Sequence, residues 1–129
     1  MDPAVTVIDF DHIVLNVADV ERSLQFYSDD LGLEGLRVEP WRRGEVPFPS
    51  VRVNEVTIID LLDASRQGEN ADHFCLVVEA TNFEALIASG RFDVVEGPVT
   101  RYGARGQGTS LYIRDPDRNL VELRYYDAR

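Results

Sequence analysis

Alternation of apolar and polar side chains predicts most of the strands in this chain. It indicates strands over residues 7–17, 50–53, 56–62, 71–78, 109–114 and 120–124, with extended stretches near 35–41 and 92–96. Apolar residues at helical spacing predict two helices between these strands. The helices follow Asp19 and Asn82, which are favourable N-cap residues, and they end at Gly32 and Gly90.

The predicted elements occur twice in the same order. Residues 7–62 read as β-α-β-β-β, residues 63–70 form a polar linker, and residues 71–126 read as β-α-β-β-β again. Both halves open with the pattern Asp-His-x-x-Leu-x-Val, at residues 11–17 and 72–78. We therefore predict one α+β domain over residues 1–129, built from two tandem modules.

The two histidines of the chain occupy the same place in the two copies of this pattern. Because side chains alternate along a strand, His12 and His73 lie on the more polar faces of their strands, as Glu122 does in the last strand. A curved sheet with its helices outside would collect these faces around one cavity. The sequence therefore predicts that the three residues bind one divalent metal ion. For either histidine alone, a structural hydrogen bond is the simpler explanation.

Two imidazoles and one carboxylate can hold zinc, iron(II), manganese or nickel and leave positions open for water or substrate. Such a metal acts as a Lewis acid on a carbonyl group or on two adjacent oxygens. A carboxylate at the metal, such as Glu122 itself, can move a proton. Side-chain alternation also places three other residues on the strand faces that line the predicted cavity. These are Arg52, Arg124 and Tyr112, which are candidates to bind an anionic substrate.

Four further parts of the sequence also have structural explanations. Trp41, followed by two arginines, can form a lip over the substrate, a surface patch or a dimer contact. Cys75 is a solitary cysteine, for which burial is the commoner role. The glycine-rich residues 103–108 lack the context of a phosphate-binding motif and are expected to form a mobile loop over the cavity mouth. Residues 115–119 have the composition of a turn.

Composition excludes several functional classes. A formal net charge of -10 opposes binding to nucleic acid or to anionic membranes. All 13 basic residues are arginine, so no lysine can form a Schiff base. One cysteine cannot form an internal disulfide, and the first residues lack a secretion signal, so a cytoplasmic location is expected. No apolar run approaches the ~20 residues of a membrane helix.

Several segments resemble the vicinal oxygen chelate superfamily, which includes glyoxalase I, fosfomycin and bleomycin resistance proteins, and extradiol dioxygenases. These are the two Asp-His strands, residues 26–33 (Phe-Tyr-Ser-Asp-Asp-Leu-Gly-Leu) and residues 112–123, which end in Asp-Pro-Asp-Arg-Asn-Leu-Val-Glu-Leu. Residues 95–106 resemble glyoxalase-domain proteins of unassigned substrate, including some called virulence-associated. The resemblance covers nearly the whole chain.

The resemblance implies an open, barrel-like mixed sheet of eight strands around a metal ion. Ligands of the family come from the first and last strands of each module, and these places match His12, His73 and Glu122. The remaining place falls at Asp60, which is shorter than glutamate and is either a fourth ligand, a group that supports a ligand, or a base. Family members usually form homodimers, in which one site can draw ligands from two chains.

Three kinds of function then compete. A glyoxalase-type lyase or isomerase would act on a small carbonyl or vicinal-oxygen substrate through a metal-stabilised enediolate, although Asp60 replaces the glutamate of glyoxalase I. An iron(II) extradiol-type dioxygenase would use the same triad, but it generally needs a further histidine that this chain lacks. A metal-free binding protein of the bleomycin-resistance kind would not need the triad. We therefore expect a metal-dependent enzyme of the first kind.

Overall fold

The computed structural model describes residues 2–65, 68, 70–114 and 118–127. The strands are β1 (Val7–Val17), β2 (Glu34–Leu36), β3 (Ser50–Arg52), β4 (Ile58–Asp63), β5 (Ala71–Val78), β6 (Asp93–Gly103), β7 (Gly106–Arg114) and β8 (Leu120–Tyr125). The helices are α1 (Val20–Leu24), which continues as a π-helical segment (Gln25–Asp30), α2 (Val38–Arg42) and α3 (Phe83–Ala88). None of the described helices is long and apolar enough to cross a membrane.

The eight strands form one mixed sheet in the order β2-β3-β4-β1-β5-β8-β7-β6. Each half of the chain contributes four neighbouring strands in mirrored order, and the halves meet where β1 and β5 pair antiparallel. Within each half, the first strand lies parallel to the last, β1 to β4 and β5 to β8. The sheet is open, with β2 and β6 at its edges. The predicted α+β fold of two β-α-β-β-β modules in an open eight-stranded sheet is confirmed.

The helices cover the apolar face of the sheet, as the alternation pattern predicts. Phe83 and Leu86 of α3 pack on a cluster that includes Leu111 of β7 and Leu123 of β8. In the other half, α1 packs on a second cluster formed with β3 and β4, at Val20, Leu24, Val51 and Leu61. The remaining polar side chains of the central strands are therefore left on the opposite face.

Both predicted N-caps are present. The Asp19 side chain accepts a hydrogen bond from the backbone N–H of Arg22 at 3.1 Å, and the Asn82 side chain accepts one from that of Ala85 at 3.0 Å. These bonds satisfy N–H groups that have no partner within the first turn of a helix. Each histidine-bearing strand is therefore followed by a helix that begins at a defined residue.

Two local predictions are wrong. Residues 35–41 are not one extended stretch, because the chain turns at Arg37 and α2 begins at Val38, where its apolar side chains join the α1 cluster. The glycine-rich segment is not a mobile loop, because β6 and β7 continue through it and pair up to Gly103 and Gly106. Residues 66, 67 and 69 of the predicted linker and residues 115–117 of the predicted turn lie outside the described residues.

Candidate metal centre

A β-bulge precedes each histidine. Along β1, Phe10 pairs with Leu76 and His12 with Cys75, so Asp11 is an extra residue in the ladder. Along β5, Val14 of β1 pairs with His73 and Leu15 with Ala71, so Asp72 is the extra residue there. A bulge interrupts the strict alternation of side chains and re-aims them. In both strands it lets an aspartate reach the ring of the histidine that follows it.

These aspartates orient the two imidazole rings. The Nδ1 of His12 lies 2.7 Å from Oδ2 of Asp11, and the Nδ1 of His73 lies 2.8 Å from Oδ2 of Asp72. A carboxylate accepts the Nδ1–H of a neutral imidazole, so the lone pair of Nε2 then faces away from it. Both Nε2 atoms are directed at the same point, which is the arrangement that a metal ion requires.

Three donor atoms from one chain meet at this point. The Nε2 atoms of His12 and His73 are 3.3 Å apart, and Oε1 of Glu122 lies 3.1 Å from the first and 3.0 Å from the second. Ligands at about 2.1 Å from a metal are about 3.0 Å apart in octahedral geometry and about 3.4 Å apart in tetrahedral geometry. The donor set and its spacing therefore fit a small divalent ion such as zinc, manganese, iron(II) or nickel.

Glu122 is held as an anion. Its carboxylate is buried, and its Oε2 accepts a hydrogen bond from the hydroxyl of Ser110 at 2.6 Å. Burial raises the pKa of Glu122, but hydrogen bonds from His12 and His73 outweigh this effect and hold the pKa far below its usual value. The carboxylate therefore carries its charge at neutral pH and is available as a ligand.

The histidines show the opposite change. Burial lowers the pKa of His12, but its hydrogen bonds with Asp11 and Glu122 outweigh burial and raise the pKa to about 9. The pKa of His73 is also raised, because bonds with Glu122 and Asp72 outweigh its burial. A metal-free triad therefore keeps a proton at neutral pH, and an incoming metal ion must displace it.

Asp60 lies beside the triad. Its Oδ2 is 3.9 Å from Nε2 of His12, and its Oδ1 accepts a hydrogen bond from the hydroxyl of Ser50 at 2.5 Å. The side chain is buried, and burial raises the pKa of Asp60 more than His12 and Ser50 lower it. The two carboxylates thus differ in environment. Glu122 is hydrogen-bonded to both histidines, whereas Asp60 is 3.9 Å from the nearer histidine nitrogen.

A second layer of contacts holds Asp11. Its Oδ2 accepts a hydrogen bond from the backbone N–H of Ala104 at 2.9 Å, and its Oδ1 accepts one from the hydroxyl of Tyr126 at 2.5 Å. The guanidinium of Arg124 lies 3.5 Å from Asp11. A Cβ atom at Gly103 would lie 1.3 Å from Nη1 of Arg124, so the β6-β7 hairpin needs glycine there for space.

The triad opens into a cavity of about 650 Å³. This volume is typical of sites for small molecules. Its wall contains the triad and the following residues: Val14, Arg37, Val46, Pro47, Phe48, Asp60, Leu62, Asp72, Arg101, Tyr102, Gln107 and Tyr112.

The aspartates that hold the two histidines, Asp11 and Asp72, were not predicted from the sequence to be site residues. The signal that could have identified them is their position directly before a histidine in both copies of the internal repeat.

The structure separates the four predicted substrate-binding residues. Tyr112 lies on the cavity wall, with its ring centroid 5.5 Å from that of His73. The other three are absent from the wall that the described residues form. Arg52 donates to the backbone oxygen of Ala104, Arg124 is completely buried behind Glu122, and Trp41 packs against the α1 cluster. The alternation of side chains along a strand predicts which face of the sheet a residue lies on. It does not predict whether other side chains cover that residue and separate it from the cavity.

The profile of the Glyoxalase/Bleomycin resistance protein/Dioxygenase superfamily matches residues 9–123, and the chain belongs to this superfamily. Virulence protein STM3117 of Salmonella typhimurium is 32% identical over 125 residues, which cover 93% of this chain and 86% of that protein. A probable lactoylglutathione lyase of Synechocystis is 29% identical over 123 residues, which cover 87% of this chain and 91% of that protein.

A solved structure with the same fold is the Mn(II)-bound glyoxalase of Novosphingobium aromaticivorans. It matches with a TM-score of 0.68 at 18% identity, over 97% of this chain and 43% of the other. The predicted resemblance to this superfamily is therefore confirmed in both sequence and fold.

Proposed function

We propose that this protein is a divalent-metal-dependent enzyme of glyoxalase type, a lyase or isomerase that acts on a small carbonyl or vicinal-oxygen compound in the cavity. One observation carries the proposal: three donor atoms within 3.3 Å of one another, two of them on imidazoles whose Nδ1 atoms are held by aspartates. Three protein ligands leave coordination positions open, as catalytic sites require. The 29% identity to a probable lactoylglutathione lyase agrees with it.

The metal ligands would be His12, His73 and Glu122. A bound divalent ion supplies Lewis-acid stabilisation of negative charge on substrate oxygens. Glu122 serves as a ligand and not as a base, because both of its oxygens are engaged, one by the histidines and one by Ser110. Its strongly lowered pKa also makes it a weak proton acceptor.

Asp60 is then the group that accepts the substrate proton. Its Oδ2 faces the site, whereas Ser50 fixes the other oxygen and so orients the carboxylate. Two carboxylates whose environments move their pKa values apart are a common basis for dividing the roles of ligand and base. Tyr112, on the wall next to His73, lies where it can contact the bound substrate.

The first test is elemental analysis of protein purified without chelator. We expect one divalent metal ion per chain in the wild type and in the control Glu84→Ala, an exposed residue of α3, and none in the double variant His12→Ala/Glu122→Ala. If the wild type takes up no metal at micromolar concentration, the chain is a metal-free binding protein. A folded double variant that keeps its metal would contradict the assignment of the ligands.

The second test concerns the reaction. Metal-loaded protein is screened with enolisable carbonyl thiol adducts, and deuterium exchange from solvent at the carbon next to the carbonyl is followed by NMR. We expect exchange in the wild type and its loss in Asp60→Asn at unchanged metal content. Oxygen-dependent turnover of catechols would instead identify a dioxygenase. The homodimer and the cytoplasmic location predicted from the sequence remain part of the proposal and are tested by light scattering and by fractionation.

A further inference from the structure

Arg37 is a cation on the cavity wall, and no described carboxylate forms an ion pair with it. Two arginines line the cavity within the described part of the chain, Arg37 and Arg101. Arg101 donates to a carboxylate oxygen of Glu96 at 2.9 Å, so its charge has a partner. No carboxylate among the described residues lies within 4.0 Å of the Arg37 guanidinium. In a protein of net charge -10, this is an unusual position for an unpaired cation.

Aromatic rings hold the Arg37 side chain in place. Its Cζ lies 4.0 Å from the ring centroid of Tyr102 and 5.0 Å from that of Phe48, and both rings also line the cavity. Such contacts fix a guanidinium without removing its charge. Its Nε is buried and has no hydrogen-bond partner among the described residues. The Nε–H thus has no acceptor among the described residues, and the Arg37 side chain that carries it lines the cavity.

The backbone at Arg37 is also unusual. Its φ of 61° lies in the left-handed region, which only one other non-glycine residue, Arg118, adopts among the described residues. This conformation is unfavourable for a side chain such as arginine, and residues of this kind are concentrated at binding sites. Glycine or asparagine would meet the backbone requirement with less strain. The presence of arginine is therefore better explained by its side chain than by the turn between β2 and α2.

Arg37 shares its cavity with the proposed reaction site. The Tyr102 ring, which lies 4.0 Å from Cζ of Arg37, lines the same cavity as Asp60. The carboxylates on the cavity wall are Asp60, Asp72 and Glu122, and a bound divalent ion would offset part of their charge. A substrate that binds in this cavity would therefore contact a metal ion held by the triad and, elsewhere on the wall, the guanidinium of Arg37.

We propose that Arg37 binds an oxyanion of the substrate, so that the cavity selects carbonyl compounds that also carry a carboxylate or a phosphonate group. A guanidinium binds either oxyanion through paired N–H donors. This inference rests on the proposed function, because it takes the cavity to be the substrate site. Arg37 would then determine which substrates bind, and Asp60 would act on them.

The test uses paired chelating probes. Hydroxamates bind a divalent metal through two adjacent oxygens, and the monohydroxamates of malonic, succinic and glutaric acid add a carboxylate at three distances. Each is compared with the uncharged alkyl hydroxamate of the same length, by calorimetry on the metal-loaded protein. The variants are Arg37→Gln, which removes the charge, Arg37→Lys, which keeps it, and the control Arg43→Gln, which removes an exposed arginine paired with Glu45.

We expect at least one acidic probe to bind the wild type and the control about tenfold more tightly than its neutral counterpart. Arg37→Gln should lose this preference and keep its affinity for the neutral probe, and Arg37→Lys should keep part of it. Equal binding of acidic and neutral probes at all three lengths would overturn the inference. So would a preference that survives in Arg37→Gln.

A second measurement does not depend on the metal. The metal-free wild type is titrated with acetate and with methylphosphonate, and the Nε–H resonance of Arg37 is followed by NMR. A shift with one anion identifies which oxyanion the site prefers, and no shift with either contradicts the inference. If no hydroxamate binds but the resonance still moves, the metal proposal fails and the role of Arg37 stands. If neutral hydroxamates bind, acidic ones bind no more tightly and the resonance does not move, the metal proposal stands and the role of Arg37 fails.

Discussion

Removal of the Asp72 carboxylate should weaken metal binding without unfolding the protein. Its oxygen lies 2.8 Å from Nδ1 of His73, where it orients the ring and increases the basicity of Nε2. Loss of such a partner typically lowers metal affinity about 10- to 100-fold. The side chain of Asp72 is 44% exposed, whereas that of Asp11 beside His12 is 0% exposed. Solvent screening therefore places Asp72→Ala near the lower limit, about tenfold.

The assay is competition for zinc between the protein and a fluorescent chelator at pH 7.5. Asp72→Asn keeps an acceptor for the Nδ1–H but loses the charge, so we expect an affinity between those of the wild type and Asp72→Ala. Asp63→Ala, which removes an exposed acid at the end of β4, controls for net charge. The reasoning is refuted if Asp72→Ala binds zinc within twofold of the wild type, or if Asp63→Ala loses as much affinity.

Three further predictions follow from the same contacts. His73→Ala should lose most of its metal affinity. Cys75→Ala should keep its affinity, because burial raises the pKa of the thiol and leaves it protonated. The metal content of the two variants after dialysis tests both expectations. Because the pKa of His12 is raised to about 9 from 6.5, metal-free protein should lose stability as pH rises from 6.5 to 9, while metal affinity increases over the same range. The melting temperatures of metal-free and metal-loaded protein across this range provide the check. Gly103→Ala should destabilise the fold by about 1–3 kcal/mol and weaken metal binding, because its Cβ would displace Arg124; urea unfolding and zinc competition measure the two effects.

Each of these predictions has its own contradicting result. A Cys75→Ala variant without metal would assign the ion to the alternative group of Asp11, His12 and Cys75, whose donor atoms also lie close together. A metal-free stability that rises between pH 6.5 and 9 would reverse the sign expected for a raised histidine pKa. For Gly103, the matched variant is Gly44→Ala, where a Cβ meets nothing within 4 Å and only the positive φ opposes it. Equal losses of metal affinity in both glycine variants would contradict the steric argument.

Much of this protein was determined by its sequence alone. The internal repeat predicted the order of the elements, because each module must bury one apolar face against its own helix. The resemblance implied the open sheet of eight strands, and the mirrored order of these strands comes from the structure. The alternation of side chains then placed His12, His73 and Glu122 on the other face, where the structure brings their donor atoms within 3.3 Å of one another. These features depend on local periodicity, which a single sequence displays directly.

Only the tertiary structure decided which neighbours support or cover these residues. The bulges at Asp11 and Asp72 depend on the pairing of β1 with β5, and alternation within one strand cannot reveal them. Arg124 lies on the face of its strand that was predicted to line the cavity, but it is buried behind Glu122. Arg37 lies in the turn between β2 and α2, and its side chain lines the cavity wall. The physical reason is that periodicity assigns a side chain to a face of the sheet. Its access to the cavity depends on contacts between residues that are far apart in the chain.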